Sequence, residues 1–229
     1  MNKKIFRTLV IIPAYNEEGS IGSVIEALRH SGVEFLVVND GSKDGTLALL
    51  KELNVNFLDL PVNIGLHGAV QAGLIYASVK KYDCAIQFDG DGQHRPEYLP
   101  VLISAIQNNE CDVAIGSRFV NTKRPASMRM LGSRLISYAI YLLTKKLVSD
   151  PTSGMRAYSQ SVIDLMAANP NYGPEPDTIA YLIRTGREIK EFHVDMSERT
   201  AGVSYLGFTS SIKYMIRMMV SILLIQPFR

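Results

Sequence analysis

The sequence has little cysteine, little net charge and no long apolar run. Two cysteines, Cys84 and Cys111, stand in 229 residues. Two cannot build a disulfide framework, and their spacing matches no zinc site. They read as reduced thiols in or near the core, which suits a reducing compartment. A formal net charge of +2 excludes a nucleic-acid binder that works by a positive coat. Lys3, Lys4 and Arg7 precede an apolar stretch, but Leu9–Ile12 is too short for a signal sequence and stops at Pro13. Met218–Ile225 falls well below the ~20 apolar residues that cross a bilayer. No segment is biased enough for disorder, and no internal repeat or linker is visible. What is present is an apolar share of 47%, enough for one domain with a proper core.

The first half alternates strand and helix patterns. Thr8–Ile12 reads as a buried strand followed by a polar loop, Pro13–Glu18. Ile21, Val24, Ile25 and Leu28 keep the i, i+3, i+4, i+7 spacing of an amphipathic helix. Strands are predicted at Phe35–Val38, Val55–Leu58, Cys84–Phe88 and Val113–Ile115. Helices are predicted from Asp44, over Gly65–Lys80, and over Pro96–Asn108 with proline in the first turn. The second half is less regular. Helices are expected at Leu131–Val148, Asp177–Thr185 and Phe208–Ile225, and strands at Gly154–Tyr158 and Glu188–Val194. The alternation predicts a mostly parallel sheet flanked by helices, in which ligands bind beyond the carboxyl ends of the strands. Those ends carry Pro13–Glu17, Asn39–Ser42, Asp89–Gln93 and Gly116–Arg118.

A dinucleotide fold would need a glycine-rich turn after the first strand. Pro-Ala-Tyr-Asn-Glu-Glu stands there instead, and its two carboxylates would repel a diphosphate. Asp89-Gly90-Asp91 offers the remedy. Two carboxylates just past a strand can share a hard cation, Mg²⁺ or Mn²⁺, with Gln93 adding an oxygen and His94 a possible nitrogen. Asp40 could accept from a uracil imide or a guanine, or could be a turn or helix-cap residue. Tyr15 could stack on a base and Glu17 could take a ribose hydroxyl. A core tyrosine and a helix-terminal glutamate are the plainer alternatives.

The segments VIIPAYNEEGSI, VVNDGSKDGT, NIGLHGAVQAGL, QFDGDGQHRPEYL and IGSRF, in this order, resemble the inverting glycosyltransferase family 2, with its GT-A fold. DPTSGMRAYS and SERTAGVSYL are similar to its branch that acts on dolichyl and polyprenyl phosphates. The resemblance spans roughly Leu9 to Leu206. It implies nucleotide-sugar contacts at Pro13, Ala14, Tyr15, Glu17, Asp40, Asp89, Gly90 and Arg199. It implies metal ligation by Asp89, Asp91 and Gln93. Asp91 and Arg118 would be catalytic, with Arg118 near the transferred phosphate and sugar. Asp177 stands where the branch usually has an acid and could hold a sugar hydroxyl, or serve only as a helix N-terminal charge. Two departures matter. Asn39 replaces the first acid of the usual Asp-Asp-Gly-Ser, and Tyr205 replaces a late basic residue, which weakens the case for GDP-mannose. A UDP-linked hexose or N-acetylhexosamine is the favoured donor.

Charge patterning bears on the acceptor. No acid lies between Asp112 and Asp150, whereas Arg118, Lys123, Arg124, Arg129, Arg134, Lys145 and Lys146 do. After Glu198 acids are again absent. Bases interleaved with bulky apolar residues suit an anionic bilayer surface, or else a core helix flanked by solvated cations. A polyprenyl phosphate, held by Arg118 with Arg129 or Arg134, would be an anionic nucleophile needing no general base. The chain is thus expected to divide into a GT-A domain, 1–207, and a helix, 208–229, for the membrane surface, a small integral-membrane partner or self-association. It is expected to be peripheral at the cytoplasmic membrane face and to serve cell-wall polysaccharide synthesis. Elongation of a saccharide hydroxyl would instead need Asp177 or Glu175 as a base. A pyrophosphorylase would want a basic glycine loop after the first strand, and a dead regulatory subunit would not keep both Asp-x-Asp carboxylates.

Overall fold

The computed structural model describes residues 5–120, 128–197 and 208–228. Among these, seven strands form one sheet: β1 Thr8–Ala14, β2 Glu34–Asn39, β3 Phe57–Asp59, β4 Cys84–Gln87, β5 Val113–Ser117, β6 Arg156–Ser159 and β7 Ile189–His193. The order is β3-β2-β1-β4-β6-β5-β7. Every pairing is parallel except those of β6, which runs antiparallel between β4 and β5. The helices are α1 Ile21–Ser31, α2 Thr46–Glu52, α3 Gly65–Val79, α4 Leu99–Gln107, α5 Met128–Thr144, α6 Gln160–Ala167, α7 Pro176–Arg184 and α8 Phe208–Val220.

Both faces of the sheet are covered, so the central strands are apolar throughout rather than alternating. On one face Ile11, Leu36, Val38 and Ile115 meet Val70 and Leu74 of α3, Ile136 and Ile140 of α5, and Ile179 and Leu182 of α7. Met218 of α8 and Ile222 just after it enter the same cluster. On the other face Val10, Ile12, Val37 and Ile86 meet Ile21, Ile25 and Leu28 of α1 and Leu99, Leu102 and Ile106 of α4. Cys84 and Cys111 are free and buried. Burial pushes their thiols up to about 12 and about 11, so neither is a thiolate at neutral pH.

The differences from the sequence patterns have local causes. Strand β1 continues through Pro13, which pairs with Val38. The missing N–H of Pro13 is harmless because the ladder with β4 has already ended at Ile11. Helix α5 begins at Met128 and stops at Thr144, where Lys145 turns into the left-handed region with φ 59°. The expected strand from Gly154 starts at Arg156. Helix α6, which the apolar pattern did not reveal, buries Val162, Ile163 and Met166 over only eight residues. The last helix changes at Ser221 from α to a π-helical turn, Ser221–Ile225.

Candidate active site

The carboxyl ends of β1, β2, β4 and β5 lie along one edge of the sheet, and three polar loops meet there. Asn16 takes a left-handed conformation, φ 55°, which asparagine tolerates better than most residues. Its N–H donates to Ser42 Oγ at 3.0 Å and its side-chain oxygen accepts from the Lys43 N–H at 2.8 Å. The loops after β1 and β2 are thereby clamped together. Ser20, buried, lies with its Oγ 2.6 Å from Glu17 Oε2 and 2.9 Å from the Gly90 carbonyl. That hydroxyl ties the first loop to the third.

Asp40 is 3% exposed. Its two carboxylate oxygens accept from the Ile64 and Gly65 N–H groups, each at 2.8 Å. It therefore holds the start of α3, where a carboxylate also suits the helix dipole. Asn39 donates to Asp59 Oδ1 at 2.7 Å, so a neutral amide at this position avoids a carboxylate pair. Pro13 and Ala14 are buried in β1, and Tyr15 is half-buried beside them.

In the third loop Asp89 is partly exposed and Asp91 is 8% exposed. Gln87 Nε2 donates to Asp89 Oδ1 at 3.2 Å, and the Gln93 N–H donates to Asp91 Oδ1 at 3.1 Å. The buried His94 places Nε2 3.6 Å from Asp89 Oδ2 and stacks tilted on Phe88. Gly154, which precedes β6, approaches the same carboxylate. A Cβ there would fall 1.8 Å from Asp89 Oδ2, so any side chain would displace it.

Arg118, just after β5, is paired rather than solvated. Its Nε and Nη2 donate to Asp150 at 2.7 Å each, in a two-pronged pair. Asp150 is 0% exposed. Burial pulls the Arg118 pKa down, but the hydrogen bonds and charge of Asp150, with a share from Asp89, more than reverse it and the pKa is raised. Asp150 is itself set by Glu191 on β7, whose carboxylate accepts the N–H groups of Ser149 and Asp150 at 2.6 and 2.7 Å. The result is a permanent cation in one orientation beside the acidic loop.

Asp177 lies in the first turn of α7 and is 8% exposed. It accepts from Ser221 Oγ at 2.6 Å. Arg134 lies on the exposed side of α5. Arg199 and the side chain of Arg129 fall outside the described residues.

Residues 9–166 match the model of the family described as Glycosyl transferase family 2. The chain belongs to that family. It is 35% identical over 217 residues to polyprenol monophosphomannose synthase of Mycolicibacterium smegmatis, a match that spans 88% of this chain and 81% of that one. It is 34% identical over 216 residues to undecaprenyl-phosphate mannosyltransferase of Micrococcus luteus, spanning 88% of each. Over 179 residues it is 34% identical to UDP-N-acetylglucosamine–dolichyl-phosphate N-acetylglucosaminyltransferase of Methanococcus voltae, 69% of this chain and 71% of that one. Glucosyl-3-phosphoglycerate synthase from Mycobacterium tuberculosis, solved with Mn²⁺, UDP and phosphoglyceric acid, shares the fold. The TM-score is 0.69 at 18% identity, over 96% of this chain and 79% of that one.

In this family 2 chain, several groups that shape the site were not singled out from the sequence. Ser20, Asp150, Gly154 and Glu191 are among them. A signal existed for three. Asp150 and Gly154 both sit in DPTSGMRAYS, and Asp150 is the acid that ends the basic stretch. Ser20 also sits in a quoted segment, VIIPAYNEEGSI, whereas Glu191 carries no such mark, because only the folded chain brings it to its partners.

Proposed function

We propose that this family 2 enzyme moves a hexose or N-acetylhexosamine, with inversion, from a UDP-sugar to a polyprenyl phosphate at the cytoplasmic face of the membrane. The observation that carries the reading is the pair of half-buried Arg118 and buried Asp150 beside the Asp89–Asp91 loop. It supplies a fixed cation for a phosphate next to an acidic cradle for a diphosphate. The names of the relatives, which act on polyprenol, undecaprenyl and dolichyl phosphates, support the acceptor class. The structural neighbour that holds Mn²⁺ and UDP supports the donor class.

The donor set fits a hard cation. Asp89, Asp91 and Gln93 offer oxygen only, and among the described residues no three His, Cys, Asp or Glu side chains form a closed metal cage. Such a set suits Mg²⁺ or Mn²⁺ whose remaining positions go to phosphate oxygens and water. When bound, the cation would act as a Lewis acid that stabilises the departing nucleotide diphosphate.

The chain's own residues do the rest. Tyr15 takes the base beside Asp40, whose carboxylate is held by the Ile64 and Gly65 amides, Glu17 takes the ribose, and Pro13, Ala14 and Gly90 support the donor. Arg199 closes on the diphosphate. Arg118, Arg129 and Arg134 hold the acceptor phosphate, using the fit of guanidinium to paired oxygens. That phosphate is already ionised at neutral pH, so no side chain needs to take a proton from it. Asp177 accepts from a sugar hydroxyl and fixes the ring. Attack opposite the leaving diphosphate inverts the anomeric carbon.

Attachment to the bilayer falls to α5 and α8. Leu131, Leu135, Tyr138 and Leu142 are exposed along α5, and Ile216, Val220 and Leu224 along α8 and the turn after it. No helix among the described residues is long and apolar enough to cross a membrane. Lys213 contributes only about 1 kcal/mol near an anionic surface, and Arg217 is paired with Glu175. A small integral-membrane partner, or a second copy joined through α8, completes the anchoring. The test is a panel of nucleotide sugars offered to the full chain with membranes, polyprenyl phosphate and Mg²⁺ or Mn²⁺. Labelled lipid from a UDP-sugar, lost on chelation, supports the reading. Labelled lipid from GDP-mannose alone overturns the donor assignment.

A further inference from the structure

Helix α8 and the turn that follows it reach into the loop that opens α7, at both of that loop's acids. Arg217 Nη2 donates to Glu175 Oε1. Four residues on, and so on the same helix face, Ser221 Oγ donates to Asp177 Oδ2 at 2.6 Å. Ser221 is 9% exposed and Asp177 8%, so water does not compete for this bond. At the far end of α7, Arg184 donates to the carbonyls of Gln226 and Pro227. Met218 and Ile222, both buried in the core cluster, complete the seating.

The α-to-π change falls at Ser221 itself. π-helical turns are rare, and single ones within helices fall frequently at functional sites. Asp177 Oδ1 accepts the Thr178 N–H at 2.9 Å, so each carboxylate oxygen has one fixed donor and the plane of the group is set. Removing the Ser221 hydroxyl frees one side.

We propose that Ser221 is a positioning residue for Asp177, so that α8 is part of the catalytic pocket as well as an attachment surface. This rests on the reading above in which Asp177 holds a sugar hydroxyl. The seating of α8 then decides whether the sugar is presented correctly, and an enzyme whose α8 is displaced turns over slowly even when donor and acceptor are bound.

The experiment uses the full chain in detergent with a short-chain polyprenyl phosphate, so that bilayer attachment does not limit the rate. Ser221→Ala is expected to lower kcat roughly 10- to 100-fold, the scale of a small misplacement, with the KM for polyprenyl phosphate little changed. Ser221→Thr, which keeps the hydroxyl, restores most of the rate. Asp177→Asn with Ser221→Ala is no slower than Asp177→Asn alone, because the serine acts through the aspartate. If Asp177→Asn keeps wild-type turnover, the sugar role of Asp177 is wrong. If Asp177→Asn is slow while Ser221→Ala is as fast as wild type, the positioning role is wrong and the sugar role stands. A Ser221→Ala defect that adds fully to that of Asp177→Asn, or that Ser221→Thr fails to rescue, also overturns the positioning role.

Discussion

The edge of the site built from β1, β2 and β4 and the edge built from β5 and α7 hold their charged groups in different ways. On the first edge three carboxylates grip backbone, beside side-chain contacts such as Asn39 with Asp59 and Ser20 with Glu17. Asp40 takes the amides of Ile64 and Gly65, Asp91 takes that of Gln93, and Glu18 takes that of Gly45. On the second edge backbone grips also occur, as where Glu191 takes the Ser149 and Asp150 amides, but the charged groups of the site are held chiefly by side chains. Arg118 pairs with Asp150, Glu175 with His67 and Arg217, and Asp177 with Ser221. A backbone amide is present whatever residue carries it. A side-chain partner is lost with a single substitution. The first edge should therefore tolerate changes in its neighbours, and the second should not.

The largest effect expected on the first edge comes from a carboxylate itself. Asp91→Asn leaves the loop folded, since an amide oxygen can still accept from the Gln93 N–H. It should lower kcat by about 10³-fold or more, as several kcal/mol of charge stabilisation are lost. Labelled-lipid assays beside a thermal melt check this, and chelation of the wild type should match the variant.

The next test strikes the second edge. Asp150→Ala leaves a half-buried guanidinium without its carboxylate, and breaking such a pair costs about 3–5 kcal/mol. Ser42→Ala, which removes one hydroxyl that accepts from the Asn16 N–H on the first edge, should cost about 1 kcal/mol. Denaturant midpoints of the two variants compare the edges directly, and equal losses would erase the distinction.

The same contrast explains what could be read from the sequence. Loops that grip backbone are written as short strings at strand ends, such as NDGS and DGDGQ, and their place follows from the strand pattern. Asp40, Asp89 and Asp91 were legible for that reason, as was the sheet. Pairs between side chains are written nowhere as a string. Glu175 and His67 stand 108 residues apart, and Ser221 and Asp177 stand 44 apart. Antiparallel β6 was legible as a strand but not in its direction, because a four-residue segment such as RAYS carries no sign of which way it lies.

A smaller effect concerns the acceptor. Arg134→Ala should raise the KM for polyprenyl phosphate about 10- to 100-fold, the loss of one charge-assisted contact, with donor KM near wild type. Equal loss for both substrates would assign the residue to the fold.

The smallest effect is in pH dependence. His67 Nδ1 faces Glu175 at 3.2 Å and Nε2 faces the Pro170 carbonyl at 2.9 Å. Both ring nitrogens meet acceptors, and Gly173 leaves room for the ring. The Glu175 hydrogen bond is the main cause of a His67 pKa raised above the ordinary 6.5. The same bond, joined by the charge of Arg217, holds Glu175 below 4.5 against burial, which pushes it up. The stability contributed by the imidazolium is full below 6.5 and is lost as pH rises through the raised pKa. That of Glu175 is full above 4.5 and is lost as pH falls through the lowered pKa. The stability gap between wild type and His67→Gln should thus be wider at about pH 5.5 than at about pH 8.5. A constant gap would mean that folding leaves the pKa of the histidine unshifted, and a gap wider at the higher pH would mean that it is lowered.

The measurement that bears most directly on the whole account is a choice of acceptor. The full chain, a labelled UDP-sugar and Mn²⁺ are offered polyprenyl phosphate and an oligosaccharide together, and the product is separated and its anomeric configuration read. The account expects label in the lipid phosphate, inverted at the anomeric carbon and unaffected by Glu175→Gln beyond the loss of the α8 contact. Label in the oligosaccharide, or retention of configuration, would contradict it.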